Sequence, residues 1–314
     1  MHILNVSEVQ PGEIDHLGHM NVRFYMERAQ RGAKALMASF GLGKSALAGL
    51  RLVQNDTYTR YHREQFQGSS LAVKGGVLRA DADGVSMYFE LANDAKGQIA
   101  ATLILHSILI DPATRVTRPI PDAAIAAARG ALVELPEHGR PRTIDLAPPR
   151  LDLAYEELAE RLGEDDLDPM SRRMERVIET ADVDEFGFLA ENRDSMFGGL
   201  RAPPTGREAK EMPFGPMTFA SDDGRRFGWA SMETRFVRIS QPRAGDRLCS
   251  IGAEIGLHAK IRHSRRWVFN TTTGTLVTLN DNVNIALDLD ARRSIEIPPE
   301  FRSRLELRHV PEFA

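Results

Sequence analysis

Cysteine is almost missing from this sequence, since Cys249 is the only one among 314 residues. A single cysteine can form neither an intrachain disulfide nor a thiolate metal cluster, so disulfide-stapled scaffolds and cysteine-bound zinc sites are excluded. This cysteine usage is typical of a reducing compartment, and we expect a cytoplasmic protein.

Long apolar segments are missing as well. No stretch approaches the ~18 consecutive apolar residues that a transmembrane helix needs. The first residues, MHILNVSEVQPGEID, lack the basic segment and the apolar run of a signal peptide. The sequence therefore predicts a soluble protein with no membrane partner.

Positive charge is not in excess, because 40 Lys and Arg residues are balanced by 44 Asp and Glu residues and the formal net charge is −4. This balance argues against a protein whose main task is to neutralise nucleic-acid phosphates, and we expect no nucleic-acid partner. The residues that are present, 42% hydrophobic and 27% charged, form an ordinary globular composition. The length suits one large domain or two of about 150 residues.

Several well-known catalytic motifs are absent from the sequence. There is no Gly-x-x-x-x-Gly-Lys-Ser/Thr phosphate loop, no Gly-x-Ser-x-Gly nucleophile elbow and no His-Glu-x-x-His metal helix. Asp15 and His19 alone do not make a convincing metal site. We therefore expect no metal and no bound cofactor.

The two halves of the chain repeat one another. Residues 55–77 align without gaps within residues 232–255, and matching residues lie 177 positions apart. Seven identical pairs carry this register: Thr57 and Thr234, Gly68 and Gly245, Leu71 and Leu248, Gly97 and Gly274, Asp111 and Asp288, Arg115 and Arg292, and Pro121 and Pro298. We interpret the pattern as an internal duplication.

Each copy shows the pattern of a long helix followed by several strands. In the first copy, apolar residues recur every three or four positions from Val22 to Phe40, and Gly41 and Gly43 mark the end of a helix. The segments 69–80, 84–94 and 98–111 are β-rich and are separated by turn sequences. The predicted fold class is α+β, with an antiparallel sheet that wraps around the helix.

The predicted boundaries place one domain at residues 1–135 and a second at 171–314. Residues 136–170 form the linker, which is rich in Pro and Arg at its start and contains a short acidic helix within 151–168. Residues 201–217 form a long loop with no counterpart in the first half. It is either a binding segment or a plain surface insertion.

A polar motif precedes the first helix, in the sequence EIDHLGHMNVRFYMERAQ of residues 13–30. Its residues in order are Asp15, Gly18, His19, Asn21, Tyr25 and Glu27. This order, with strands following, resembles the hotdog-fold thioesterases of the 4-hydroxybenzoyl-CoA and acyl-carrier-protein thioesterase types. The resemblance implies two hotdog units fused in one chain, each a central helix wrapped by an antiparallel sheet.

The resemblance also implies an activity, the hydrolysis of an acyl thioester of CoA or acyl carrier protein. In that family a carboxylate of the motif is the nucleophile or the base for a water molecule, and Asp15 holds its position here. Such chemistry needs an anion or an activated water beside the carbonyl, and hydrogen-bond donors where the oxyanion develops. Amides near Gly18 and His19, at the N-terminal end of a buried helix, would supply those donors.

Each residue of the motif also has a structural interpretation. Asp15 is a catalytic carboxylate or a turn residue, and His19 orients Asp15, contacts substrate or is purely structural. Asn21 positions water or caps the helix. Tyr25 binds substrate or only packs, and Glu27 binds substrate or is a solvated surface acid.

Three further residues of this segment are predicted to have no role in the site. His16 is predicted to be exposed. Arg28 and Arg31 are interpreted as surface charges.

The second copy keeps only part of the motif. Asp184 and Gly187 follow Asp15 and Gly18 by 169 positions, but Phe188 replaces His19. Further on, Ala190 stands for Asn21 and Asp194 for Tyr25, while Glu191 and Asn192 are possible substitutes. We expect one working site, with Asp184 and Gly187 as substrate-binding candidates and a second hydrolytic centre as the alternative.

A basic run, KIRHSRR, spans residues 260–266. It is either a solvated hairpin or a patch in which Arg262 and Arg265 attract the phosphates of CoA or an acidic carrier protein.

Two other functions are compatible with the sequence. A hotdog hydratase or dehydratase would act on enoyl or hydroxyacyl thioesters, although its Asp-x-Asn-Pro-x-His pattern is not present. A non-catalytic acyl-CoA-binding protein would explain the altered second motif. The acyl group, and any further assembly of such chains into homo-oligomers, is left open.

Overall fold

The computed structural model describes residues 1–15, 17–44, 47, 49–163, 173–189 and 218–314. Contacts divide the chain into an N-terminal unit, Met1–Thr143 with Arg235–Val237, and a C-terminal unit, Ile144–Thr234 with Arg238–Ala314. No helix in these ranges is both long enough and apolar enough to cross a membrane.

The N-terminal unit is an antiparallel sheet with one long helix. Its helices are α1 (Arg23–Ser39) and α2 (Asp122–Ala128). Its strands are β1 (His2–Glu8), β2 (Arg51–Tyr61), β3 (Ser70–Asp81), β4 (Gly84–Asn93), β5 (Gln98–Ile110) and β6 (Thr117–Arg118). The strand order is β1-β3-β4-β5-β2, and β6 pairs with β5.

Helix α1 confirms the helix predicted from periodicity. Its buried apolar residues recur at helical spacing and belong to the same core as the inner residues of β3, β4 and β5. Gly32 allows close approach to the sheet, because a Cβ there would lie 2.9 Å from Val73. Val22 differs from the prediction, since it precedes the helix and is exposed.

The C-terminal unit repeats the sheet arrangement. Its helices are α3 (Tyr155–Leu162) and α4 (Pro299–Glu306). Its strands are β7 (Met174–Val177), β8 (Thr218–Ala220), β9 (Arg226–Arg238), β10 (Arg247–Leu257), β11 (Ile261–Asn270), β12 (Thr275–Asp288) and β13 (Arg293–Ser294). The order β7-β10-β11-β12-β9 matches that of the N-terminal unit. The helix expected in this copy falls within residues 190–217, outside the described residues.

The interval of 177 residues reappears in the backbone. Arg115 and Arg292 have φ values of 62° and 51°, and they are the non-glycine residues with positive φ in the described ranges. Each follows an aspartate whose Oδ1 accepts two N–H groups of the same turn, Asp111 in one unit and Asp288 in the other. The aligned sequences therefore form the same turn.

Candidate active site

The motif around Asp15 forms a tight loop between two bridged residues. Ile14 and Met20 form an antiparallel bridge, and the Asp15 N–H donates to the His19 carbonyl over 2.9 Å. The Gly18 N–H returns to the Asp15 carbonyl over 3.0 Å. Gly18 has φ +83°, a conformation that other residues rarely adopt, which explains why a glycine occupies this position.

The side chains of Asp15 and His19 meet within this loop. Asp15 Oδ1 accepts the Leu17 N–H over 2.9 Å, while Oδ2 lies 3.3 Å from His19 Nδ1. Both side chains are 16% exposed, so they are mostly buried but still accessible to solvent. The other ring nitrogen of His19, Nε2, lies 3.6 Å from Glu64 Oε1. The imidazole therefore lies between two carboxylates.

The backbone N–H groups before and at the start of α1 are arranged differently from the predicted oxyanion-binding site. Asp15 lies eight positions before Arg23, the first residue of the helix. The Arg23 N–H donates to Asn21 Oδ1 over 3.1 Å and the Phe24 N–H donates to the Asn21 carbonyl over 3.0 Å, so both groups are used at the entry of the helix. The Gly18 N–H is also used within the loop. The His19 N–H, by contrast, has no hydrogen-bond partner in the part of the chain that the structure describes.

Tyr25 and Glu27 lie on opposite sides of α1. Tyr25 is buried, and its hydroxyl donates to the Arg63 carbonyl over 3.3 Å. Burial raises the pKa of Tyr25 above its usual value. Glu27 is exposed on the outer face of the helix. His16 lies outside the described residues.

The burial of Arg28 shows that the sequence prediction for this residue is wrong. Instead of being a surface charge it is 1% exposed, and Nη2 donates to Glu13 Oε2 over 2.7 Å. Burial opposes the charged form of Glu13, but hydrogen bonds from Arg28 and from the Gln10 N–H outweigh it and lower the pKa of Glu13.

Glu64 belongs to the segment after β2, which lies outside the sequence motif around Asp15. The Gln65 carbonyl accepts the Met20 N–H over 2.7 Å and so joins this segment to the Asp15 loop. The Gln65 side chain is buried and accepts a hydrogen bond from Asn93 over 2.9 Å. One signal in the sequence points to Glu64. In the 177-residue register Glu64 aligns with Gln241, so the second copy lacks this acid as well as the histidine.

The loop at Asp184 repeats this backbone arrangement. The Asp184 N–H donates to the Phe188 carbonyl, and the Gly187 N–H to the Asp184 carbonyl, each over 2.8 Å. Gly187 has φ 71°. The two loops differ at one amide. The Phe188 N–H donates to Asp184 Oδ1 over 3.1 Å, whereas the corresponding N–H of His19 makes no such bond to Asp15. Ala190, Glu191, Asn192, Asp194 and residues 201–217 lie outside the described residues.

Arg262 and Arg265 are held by carboxylates of the C-terminal unit. Arg262 is 1% exposed and donates to both carboxylate oxygens of Glu254. Arg265 donates to Asp281 over 2.7 and 3.2 Å and to the Phe313 carbonyl. Residues 261–270 form strand β11, which pairs with β10 as an antiparallel hairpin, but Arg262 is buried in it rather than solvated. In the described ranges, no group of three or more His, Cys, Asp or Glu side chains is placed to hold a metal.

The match to a protein-family model lies within the N-terminal unit. Residues 9–128 match the model of the thioesterase-like superfamily. No curated protein matches the sequence.

Solved structures of similar fold cover nearly the whole chain. A putative oleoyl thioesterase from Lactobacillus plantarum is 11% identical, with TM-score 0.62 over 90% of this chain and 95% of that one. An acyl-ACP thioesterase from Bacteroides thetaiotaomicron VPI-5482 is 12% identical, with TM-score 0.60 over 89% and 96%. A 12:0-ACP thioesterase from Umbellularia californica is 11% identical, with TM-score 0.61 over 90% and 93%.

These matches confirm the resemblance indicated by the sequence. The segment that carries the Asp15 loop matches a thioesterase-like superfamily, and the chain has the fold of the hotdog thioesterases.

Proposed function

We propose that this protein hydrolyses an acyl thioester of CoA or acyl carrier protein to a free acid and a thiol. The observation that carries the proposal is the Asp15 carboxylate, whose Oδ2 faces His19 in a partly exposed loop of a hotdog thioesterase fold. Asp15 acts as the nucleophile or as the base for water. In either role the Asp15 carboxylate supplies the negative charge that the attack on the carbonyl carbon requires.

The two routes differ in the first bond formed. As a base, Asp15 takes a proton from water while the hydroxyl oxygen bonds to the acyl carbon, and the departing thiolate receives a proton. As a nucleophile, an Asp15 oxygen bonds to the acyl carbon, the C–S bond breaks and the departing thiolate receives a proton. Water then hydrolyses the resulting mixed anhydride to the free acid and restores Asp15. In both routes the negative charge of the oxyanion develops on the carbonyl oxygen of the thioester. The His19 N–H supports this step, because it is a donor not used elsewhere in the described chain.

The substrate class is supported by the similar structures. Two are described as acyl-ACP thioesterases and one as an oleoyl thioesterase. We therefore propose a fatty acyl chain carried on a phosphopantetheine thiol.

We also infer that the chain consists of two hotdog units that arose by duplication, with one working centre. The equal strand orders and the paired turns at Arg115 and Arg292 support the duplication. The single centre is supported by the loop at Asp184, where Phe188 replaces the histidine and its amide is bound to Asp184 Oδ1. In this interpretation Asp184 and Gly187 maintain the loop.

The test is a thiol-release assay with a panel of acyl-CoA and acyl-ACP substrates of different chain lengths. Asp15→Asn keeps an acceptor for the Leu17 N–H but removes the charge, so kcat should fall by about a hundredfold or more with an unchanged melting temperature. Asp184→Asn is the matched control and should retain activity within about twofold of wild type.

The same assay identifies the alternatives. Activity that survives in Asp15→Asn would disprove the mechanism. Binding of acyl-CoA without thiol release would indicate the non-catalytic protein. A change in enoyl absorbance without thiol release would indicate a hydratase or dehydratase.

A further inference from the structure

We propose that Glu64 is a positioning residue that holds the imidazole of His19 against Asp15. This inference rests on the proposed function, because it concerns the same site. Glu64 takes part in no bond-making step and affects turnover through its position beside His19.

The geometry of the imidazole is the first argument. Its two nitrogens each face a carboxylate oxygen, Nδ1 at 3.3 Å from Asp15 and Nε2 at 3.6 Å from Glu64. A neutral imidazole has one N–H to donate, whereas an imidazolium donates to both sides. The second carboxylate therefore influences which nitrogen carries the proton and keeps the ring directed along the line between the two acids.

The backbone that carries Glu64 is firmly held, which is the second argument. The His62 and Arg63 N–H groups both donate to the Ala100 carbonyl, over 2.9 and 3.1 Å. On the other side of Glu64, the Gln65 carbonyl binds the Met20 N–H at the end of the Asp15 loop. The Glu64 carboxylate thus projects from a fixed segment, as a positioning group must.

The C-terminal unit supplies the third argument. Phe188 stands in the place of His19, and Gln241 stands 177 positions after Glu64, so both members of the pair are replaced together. The loop at Asp184 nevertheless makes the same backbone hydrogen bonds as the loop at Asp15. The histidine and the glutamate are therefore not required for the loop to fold, and their joint presence in the N-terminal unit points to chemistry.

A double-mutant cycle tests this coupling. Glu64→Gln, which removes the charge and keeps the shape, should lower kcat by about tenfold with KM within about twofold. In a His19→Ala background the same change should cause little further loss of kcat, because the ring that Glu64 positions is no longer present. Glu64→Asp should recover part of the activity. Glu137→Gln, which changes an acid with an 87% exposed side chain, is the control and should leave kcat unchanged.

A purely structural role would give a different result. Losses that add in the double variant, or a kcat that does not change in Glu64→Gln, would overturn the proposal. Melting temperatures of all variants are measured alongside, and Glu64→Gln should unfold at the wild-type temperature.

A second readout does not depend on activity. The ring nitrogens of His19 are observed by ¹⁵N NMR and assigned by their disappearance in His19→Ala. Glu64→Gln should shift these resonances, whereas Glu137→Gln should not. If the wild-type protein releases no thiol from any substrate, the proposed function fails, and the NMR result alone decides the role of Glu64. Unchanged His19 resonances in Glu64→Gln would overturn it.

Discussion

Arg28 donates to Glu13 over 2.7 Å, and this ion pair ties helix α1 to the turn that precedes the Asp15 loop. The same Glu13 oxygen accepts the Gln10 N–H over 2.9 Å. Arg28 also donates to Ser7 of strand β1 over 3.1 Å. The pair therefore joins the helix, the turn and the sheet at the point where the candidate site begins.

Replacement of Glu13 should destabilise the protein in a pH-dependent way. Glu13→Gln leaves the buried Arg28 without its counter-charge, and the free energy of unfolding at pH 7 should fall by about 3 kcal/mol. The folded state holds the pKa of Glu13 below its usual value of 4.5, so this stability is present above that pH and is lost as the pH falls through the lowered pKa. The difference between wild type and variant should therefore narrow in urea titrations below about pH 4.5. An equal difference at pH 7 and pH 3.5 would contradict the assignment.

Replacement of Gly18 should destabilise the protein. It has φ +83°, while a Cβ at Gly18 or at Gly12 would meet no atom within 4 Å. Gly18→Ala should lower the free energy of unfolding by about 1–2 kcal/mol through backbone strain alone. It should also lower kcat, since it distorts the loop that carries Asp15. Gly12→Ala is the matched control without positive φ, and a loss there as large as at Gly18 would exclude the backbone explanation.

Arg262 should behave as a structural residue. Arg262→Met removes one partner of a buried pair with Glu254 and should destabilise the protein by about 3 kcal/mol or more. The double variant with Glu254→Leu should recover much of that loss, because no buried charge is left unpaired. Chemical unfolding measures both values. A raised KM for acyl-CoA with unchanged stability would instead support the phosphate-binding interpretation of the basic run.

His62 should titrate at unusually low pH. Burial lowers its pKa from 6.5 to about 4, with further contributions from Arg60 and His138. The unfolded chain takes up this proton near 6.5, so stability should decline as the pH falls from 6.5 to about 4. NMR titration of the His62 ring measures the midpoint, and the decline should be shallower in His62→Gln. A midpoint near 6.5 would show that the ring is solvated.

Local patterns predicted much of the N-terminal unit. Helix α1 was recognisable because its apolar residues follow the helical period, and the strands were separated by clear turn sequences. The strand order could not be predicted from the sequence, because it depends on contacts between distant segments.

The candidate site was only partly predictable for the same reason. Asp15, Gly18 and His19 lie within five consecutive positions and could be found as a motif, whereas Glu64 follows 45 positions after His19. Arg28 and Arg262 were expected at the surface because arginine is rarely buried without a partner. Their partners, Glu13 and Glu254, become neighbours only in the folded chain.

The loop at Asp184 has an evolutionary consequence. It keeps its turn and its glycine with φ 71° although phenylalanine occupies the histidine position. The loop therefore folds without a histidine at this position, and under the proposed function it is selection on turnover that would preserve His19. Under the proposed duplication, the second half of the gene could then change its ligand while the first half kept its activity.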